Sequence, residues 1–155
     1  MLHKADGERR PALFIDRDGT INVDCPYCHN LSDLHIYEDI LPFIKEYQRS
    51  GFLIIIVTNQ SGINRGLFSL QEFINFQTEV VNQMRERGII VNATYYCPHR
   101  PDEMCRCRKP NPGLIYEAMD DFDIDLSRSV VVGDNDKTDG GLAEKTGLKF
   151  IKIAH

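Results

Sequence analysis

Apolar positions along the chain follow two periods that alternate. Three short runs rich in β-branched residues, Ala12-Leu13-Phe14-Ile15, Leu53-Ile54-Ile55-Ile56-Val57 and Val130-Val131-Val132, are apolar at every position. Such runs belong to strands buried on both faces, the condition of a parallel sheet. Between them the period lengthens to that of a helix. From Ser69 to Gly88, Phe73, Phe76, Val80 and Met84 recur at helical spacing, Ser69 and Glu72 form a capping box, and Gly88 is a stop. Weaker helical patterns begin near Glu38, with Leu41, Ile44 and Tyr47 inward, near Pro112, where Asn111 can cap, and over 140–145. Further strands are expected at 93–96 and 149–153. This alternation predicts an α/β fold, a doubly wound, Rossmann-like parallel sheet with helices on both faces.

The 155 residues read as a single domain, 1–155, with 1–10 as a flexible tail and no insertion large enough for a separate cap domain. A composition 42% hydrophobic and 26% charged is that of an ordinary globular protein. The formal charge of -5 opposes binding to phosphate backbones, so no nucleic-acid partner is expected. The first residues lack the apolar stretch of a signal peptide, and the run from Phe52 to Val57 cannot span a bilayer. The expectation is a cytoplasmic protein without a membrane partner, and a monomer by default.

Each apolar run ends in polar groups: Asp16-Arg17-Asp18-Gly19-Thr20, then Thr58-Asn59-Gln60-Ser61-Gly62, then Gly133-Asp134. Ligands bind at the carboxyl ends of parallel strands, so neighbouring strands would bring all three groups to one crevice. Asp16, Asp18 and Asp134 form an oxygen-rich cluster suited to Mg²⁺. With such a cation, Asp16 can attack a phosphoryl group while backbone N–H groups after it hold the equatorial oxygens. Asp18 can then protonate the leaving oxygen and later deprotonate the hydrolytic water. Lys109, beside Arg108, is a candidate to neutralise the phosphoryl oxygens.

Cys97, His99, Cys105 and Cys107 supply three thiolates and one imidazole in a short loop, the complement of a closed, tetrahedral structural zinc site. Such a site would hold Arg108 and Lys109 over the crevice. With five cysteines, three of them in that cluster, metal is favoured over a disulfide framework. The segment Cys25-Pro26-Tyr27-Cys28-His29 matches haem-attachment and thiol-redox spacings, but its place in the loop after the first carboxylates favours contact with substrate instead.

In order, Asp16-Arg17-Asp18-Gly19-Thr20, Thr58, Lys109 and Gly133-Asp134 with Asp139 resemble the four motifs of the haloacid dehalogenase (HAD) superfamily of phosphohydrolases, over nearly the whole chain from Leu13. The cysteine loop running into Arg108-Lys109-Pro110 is similar to the branch of heptose-bisphosphate and histidinol phosphatases. The stretches from Val57 to Gly66 and from Tyr95 to His99 look closer to the D-glycero-D-manno-heptose 1,7-bisphosphate 7-phosphatases. That resemblance implies a small sugar phosphate as substrate, with histidinol phosphate or another phosphomonoester as the alternative. It implies Asp16 as nucleophile, Asp18 as acid/base, and Thr58 and Lys109 as phosphoryl stabilisers. Asp24, Cys25, Pro26, Tyr27, Asn59, Gln60, Ser61, Arg108 and Asn135 would line the substrate, and Cys97, His99, Cys105 and Cys107 would bind zinc. Three departures stand out: a short loop between His99 and Cys105, one extra residue between Asp134 and Asp139, and Asn135 where lysine or arginine is usual. The extra residue leaves open whether Asp136 or Asp139 supports the metal.

Overall fold

The computed structural model describes residues 9–155. Five strands, β1 (Ala12–Ile15), β2 (Leu53–Asn59), β3 (Ala93–Cys97), β4 (Val130–Gly133) and β5 (Lys149–Lys152), form one sheet in the order β3-β2-β1-β4-β5. Every pairing is parallel, with Ile15 in register with both Ile56 and Val132. The order reverses direction between β1 and β4, the switch point at which parallel sheets of this kind carry a crevice. Asp16 and Asp134 therefore stand at its mouth, with the end of β2 on the other flank of β1.

The uninterrupted apolar runs are explained by the two faces they serve. Leu13, Ile15, Ile54 and Ile56 pack with Ile40, Leu41 and Ile44 of α1 (Ile40–Arg49) and Phe76, Val80 and Met84 of α2 (Leu70–Glu86). Ala12, Phe14, Leu53, Ile55 and Val57 pack with Leu114, Ile115 and Ala118 of α3 (Gly113–Asp121) and Leu142 and Ala143 of α4 (Gly141–Thr146). Alternate residues of each central strand thus enter different cores, so no position can be polar until the strand ends.

Helix boundaries follow local chemistry with two exceptions. The Ser69 hydroxyl accepts from the Glu72 N–H and the Glu72 carboxylate accepts from the Ser69 N–H, completing the expected capping box. Asn111 does not cap α3: its amide donates to the Cys105 carbonyl at 3.0 Å, and Pro112 stands at the cap position instead. Between Asp134 and α4 the chain makes a single wide π-helical turn, Asp136–Gly140. Of the segment 1–10 expected as a flexible tail, residues 1–8 lie outside the described residues. Arg10, however, is paired: its N–H donates to the Asp123 carbonyl at 3.1 Å, and its carbonyl accepts from the Asp125 N–H at 2.9 Å. Among the described residues no helix is long and apolar enough to cross a membrane.

Because the capping box satisfies two backbone donors at an exposed helix start, Ser69→Ala is expected to lower stability by about 1 kcal/mol without affecting the sheet ends. Urea denaturation of the two proteins checks this.

Candidate active site

The chain enters the crevice at Asp16, whose N–H still continues the sheet by donating to the Val132 carbonyl at 2.9 Å. Beyond it the loop turns sharply at Gly19, where φ is +85 and a Cβ would collide with the Asp134 carboxylate. Gly133 is required for the same reason, since a Cβ there would overlap the Asp139 carboxylate. These two glycines let the loops after β1 and β4 approach until the Asp16, Asp134 and Asp139 carboxylates lie within 4.8 Å of one another. Asp139 is the partner that the sequence left undecided: it is 1% exposed, whereas Asp136 is an exposed residue paired with Lys152.

Lys109 reaches this cluster from the cysteine loop. Its Nζ, 2% exposed, lies 2.8 Å from Oδ1 of both Asp16 and Asp139. Burial opposes the charged ammonium, yet Asp16 and Asp139 outweigh it and hold the Lys109 pKa above its ordinary value. The carboxylates carry the converse imbalance. Burial, reinforced by Asp16, pushes Asp139 up to about 6 although Lys109 pulls the other way. Burial and then Asp16 also raise Asp134, and Asp24 is raised by burial and then by Asp18 and Asp16. The crevice thus holds more negative charge than its buried lysine offsets, and its donors are hard oxygens, which fits a divalent cation such as Mg²⁺.

Asp18 is placed differently from the expectation that its side chain shares the metal with Asp16 and Asp134. Its carboxylate accepts from Arg17 Nε at 3.0 Å and Nη2 at 3.1 Å, from Asn22 Nδ2 at 3.0 Å and from Gln60 Nε2 at 3.0 Å. Asp139 lies in the cluster with Asp16 and Asp134, while the Asp18 carboxylate is held by the Arg17 fork. Gln60 also donates to the buried Thr58 hydroxyl at 3.0 Å, tying the end of β2 to the same carboxylate.

Arg17 is the functional residue missing from the sequence reading. It is wholly buried, its guanidinium lies 4.6 Å from the Phe76 ring centroid, and its Nη1 donates to Gln77 Oε1 at 3.1 Å. Gln77 in turn donates to the Thr94 hydroxyl at 2.9 Å. The residue between the two aspartates is therefore anchored on α2 and β3.

Several residues expected to line the substrate also make hydrogen bonds within the scaffold. Asn59 brackets the Lys109 backbone, accepting from its N–H at 2.9 Å and donating to its carbonyl at 3.1 Å. Asn135 caps the wide turn by accepting from the Lys137 and Thr138 N–H groups at 2.9 and 3.0 Å. The Ser61 hydroxyl accepts from Arg65 at 3.1 Å. Asp24, Pro26 and Tyr27 are exposed in the loop flanking the crevice, and Cys25 is half-buried there. Cys25 and Cys28, expected without a redox link, are joined by a disulfide; Tyr27, at φ 58, turns the chain so that their Cα atoms stand 5.2 Å apart.

The four residues of the second cluster come together. Cys97 Sγ, His99 Nδ1, Cys105 Sγ and Cys107 Sγ lie within 4.8 Å of one another, an arrangement able to hold a metal ion. Burial raises the Cys97 thiol pKa, whereas Cys105, despite burial, is lowered to about 7 by the Arg108 N–H and the Cys97 and Cys107 sulfurs. The Arg108 N–H donates to Cys105 Sγ at 3.4 Å, and its guanidinium to the His99 carbonyl at 3.5 Å, so the residue before Lys109 is held by the cluster.

A parallel sheet with paired carboxylates after its first strand, a buried lysine against the first of them and a third carboxylate after β4 defines a HAD-like phosphatase, a phosphoric monoester hydrolase. The sequence matches the family described as Polynucleotide kinase 3 phosphatase over residues 15–151, and the chain belongs to that family. A Thermoplasma acidophilum relative named Probable D-glycero-D-manno-heptose-1,7-bisphosphate 7-phosphatase is 54% identical over 155 residues, covering 100% of this chain and 97% of the relative. The Escherichia coli K12 D-glycero-beta-D-manno-heptose-1,7-bisphosphate 7-phosphatase is 36% identical over 91% of this chain and 78% of its own length. Among solved structures, the D,D-heptose 1.7-bisphosphate phosphatase of B. bronchiseptica, complexed with magnesium and phosphate, superposes with a TM-score of 0.81 at 29% identity, covering 90% of this chain and 78% of that one. A HAD-like phosphatase from Mesorhizobium loti gives a TM-score of 0.85 at 37% identity, over 90% and 70% of the two chains.

The two-point Arg17–Asp18 contact makes one prediction immediate. Arg17→Lys keeps the charge but loses the planar fork. It is expected to cost about 1–3 kcal/mol and to lower kcat about tenfold, which denaturation and steady-state kinetics would show.

Proposed function

We propose that this chain removes the 7-phosphate of D-glycero-D-manno-heptose 1,7-bisphosphate through an aspartyl-phosphate on Asp16. The observation that carries the reading is Lys109, buried with its Nζ 2.8 Å from Asp16 and bonded also to Asp139: it fixes one nucleophile oxygen and supplies positive charge where phosphoryl oxygens would gather. Asp16 attacks phosphorus, the sugar oxygen leaves with a proton from Asp18, and Asp18 then takes a proton from the water that hydrolyses the acyl-phosphate. Gly19 and Thr20 donate their N–H groups inside the loop, to Asn22 and Arg17 carbonyls at 2.8 and 3.1 Å, which narrows the loop's phosphoryl donors to the N–H groups of Arg17 and Asp18. Arg17, Asn22 and Gln60 keep Asp18 aimed and Asn59 keeps Lys109 in place.

Asp16 and Asp134 would hold a Mg²⁺, with Asp139 positioning Lys109 behind them; bound there, the cation supplies positive charge that offsets the repulsion between carboxylate and phosphate. Cys97, His99, Cys105 and Cys107 would hold zinc in a closed site whose role is structural. The heptose assignment rests on the names of relatives at 54% and 36% identity, and on loops rather than on the catalytic groups. The alternative substrates are histidinol phosphate and, because of the family match, a 3′-phosphorylated polynucleotide; the charge of -5 weighs against the latter.

Mg²⁺-dependent phosphate release is expected to be fastest, in kcat/KM, on heptose 1,7-bisphosphate in a panel with histidinol phosphate, other sugar phosphates and a 3′-phosphorylated oligonucleotide. Asp16→Asn is expected to lower kcat at least about a thousandfold on every member while leaving the melting temperature near that of the parent protein. Retained turnover in that variant would sink the mechanism, whereas a different leading substrate would sink only the assignment. In excess Mg²⁺, a zinc-selective chelator is expected to lower the melting temperature and the activity together, with zinc restoring both. Metal analysis of the purified protein gives the independent check.

A further inference from the structure

The segment after β5 does not leave the fold where the strand stops. The Ile153 N–H donates to the Gly133 carbonyl at 2.8 Å, which keeps the chain beside the end of β4 and sends it across the loop that follows β1. There His155 makes three contacts at once. Its ring stacks on Tyr37 with centroids 3.4 Å apart and planes 11° from parallel. Its Nδ1 lies 2.8 Å from both carboxylate oxygens of Asp39, and its Nε2 lies 3.0 Å from the carbonyl oxygen of Thr20. The side chain is only 14% exposed.

Thr20 is two short steps from the chemistry. Its hydroxyl is 3.4 Å from Asp16 Oδ2, the oxygen opposite the one held by Lys109, and its N–H donates to the Arg17 carbonyl at 3.1 Å. Tyr37, the platform under the imidazole, is fixed to the same loop, because its N–H donates to the Ile21 carbonyl at 2.8 Å. The Asp39 carboxylate and the Thr20 carbonyl are both acceptors, and they face the two ring nitrogens from opposite edges of the imidazole. The demand at this position is therefore for two donors pointing opposite ways, with a flat face for Tyr37. Hydrophobic packing alone would not set that demand.

We propose that His155 is a positioning residue for the phosphatase reaction: by clamping the Thr20 carbonyl to Asp39 it holds the loop after β1 in the conformation that aims Asp16. The inference rests on the reading of Asp16 as nucleophile and extends it to a residue that the active-site motifs do not include. Small displacements of a nucleophile from its line of attack are costly in rate, and they act on turnover more than on substrate affinity.

Three variants separate the donors from the ring. His155→Ala removes everything, His155→Phe keeps the stack on Tyr37 and loses both donors, and His155→Arg keeps a flat, stacking group with donors on two sides. With a generic aryl phosphate as probe, so that the heptose assignment does not matter, Ala and Phe are expected to lower kcat about tenfold with KM within about twofold of the parent protein. Arg is expected to recover most of the loss. Asp39→Ala, on an exposed side chain, should give a smaller fall that adds little to His155→Ala, because both break one clamp. Parent-like kcat in the Phe variant would overturn the proposal, as would a loss that Arg fails to recover or one confined to KM. Asp16→Asn run alongside distinguishes the two failures: activity surviving there refutes the nucleophile assignment, and activity lost there but kept in the Phe variant refutes only the clamp.

Discussion

Repulsion between carboxylates is the constraint around which this molecule is arranged. Asp16, Asp134 and Asp139 are brought within 4.8 Å of one another, and two unit charges 4 Å apart at the effective dielectric of a protein site repel by about 4 kcal/mol. One buried ammonium, that of Lys109, bridges two of the three. What forces the groups together is the sheet: β1 and β4 are adjacent and in register through Ile15 and Val132, and their apolar residues fill two cores. The loops at the strand ends inherit that spacing, and the glycines at 19 and 133 remove the side chains that would hold them apart. Burial of the strands thus stabilises a concentration of charge that the loops alone would not hold.

The dependence on Lys109 extends the constraint to the edge of the sheet. Its loop follows the cysteine cluster and is pinned by Asn59 at the end of β2, so the cation facing Asp16 is positioned by residues from β2 and from the cluster after β3. Asp18, one residue beyond Arg17, has a separate cation in the Arg17 guanidinium. The two aspartates thereby acquire different partners, a lysine on one side and an arginine on the other. That division suits a nucleophile that must stay ionised and an acid/base that must exchange a proton.

Most of the fold was legible because its signals are local. A strand buried on both faces can only be apolar throughout, and a capping box lies within four residues, so β1, β2, β4 and α2 could be read directly from the chain. The chemistry at the strand ends was legible too, since Asp16, Asp134, Lys109 and the four side chains of the cysteine cluster are types that few structural roles require together. What escaped depends on distant packing. Arg17 looks like a surface residue until Phe76 and Gln77 of α2 close over it. Asn59, Gln60 and Asn135 enter the substrate set through the resemblance alone, and only coordinates reveal that each also has a backbone or side-chain group to hold. The choice between Asp136 and Asp139 turned on the wide turn at 136–140, which rotates one carboxylate inward and leaves the other exposed.

The same arrangement separates reaction from recognition. Every group assigned to phosphoryl transfer is fixed by the central strands or by a buried partner, so it gains accuracy from the least mobile part of the molecule. The groups free to meet the remainder of a substrate, Asp24, Pro26 and Tyr27, stand exposed on a loop whose turn is closed by the Cys25–Cys28 disulfide. On the proposed reading, changes there alter which phosphate ester is accepted while leaving the carboxylates and lysine intact.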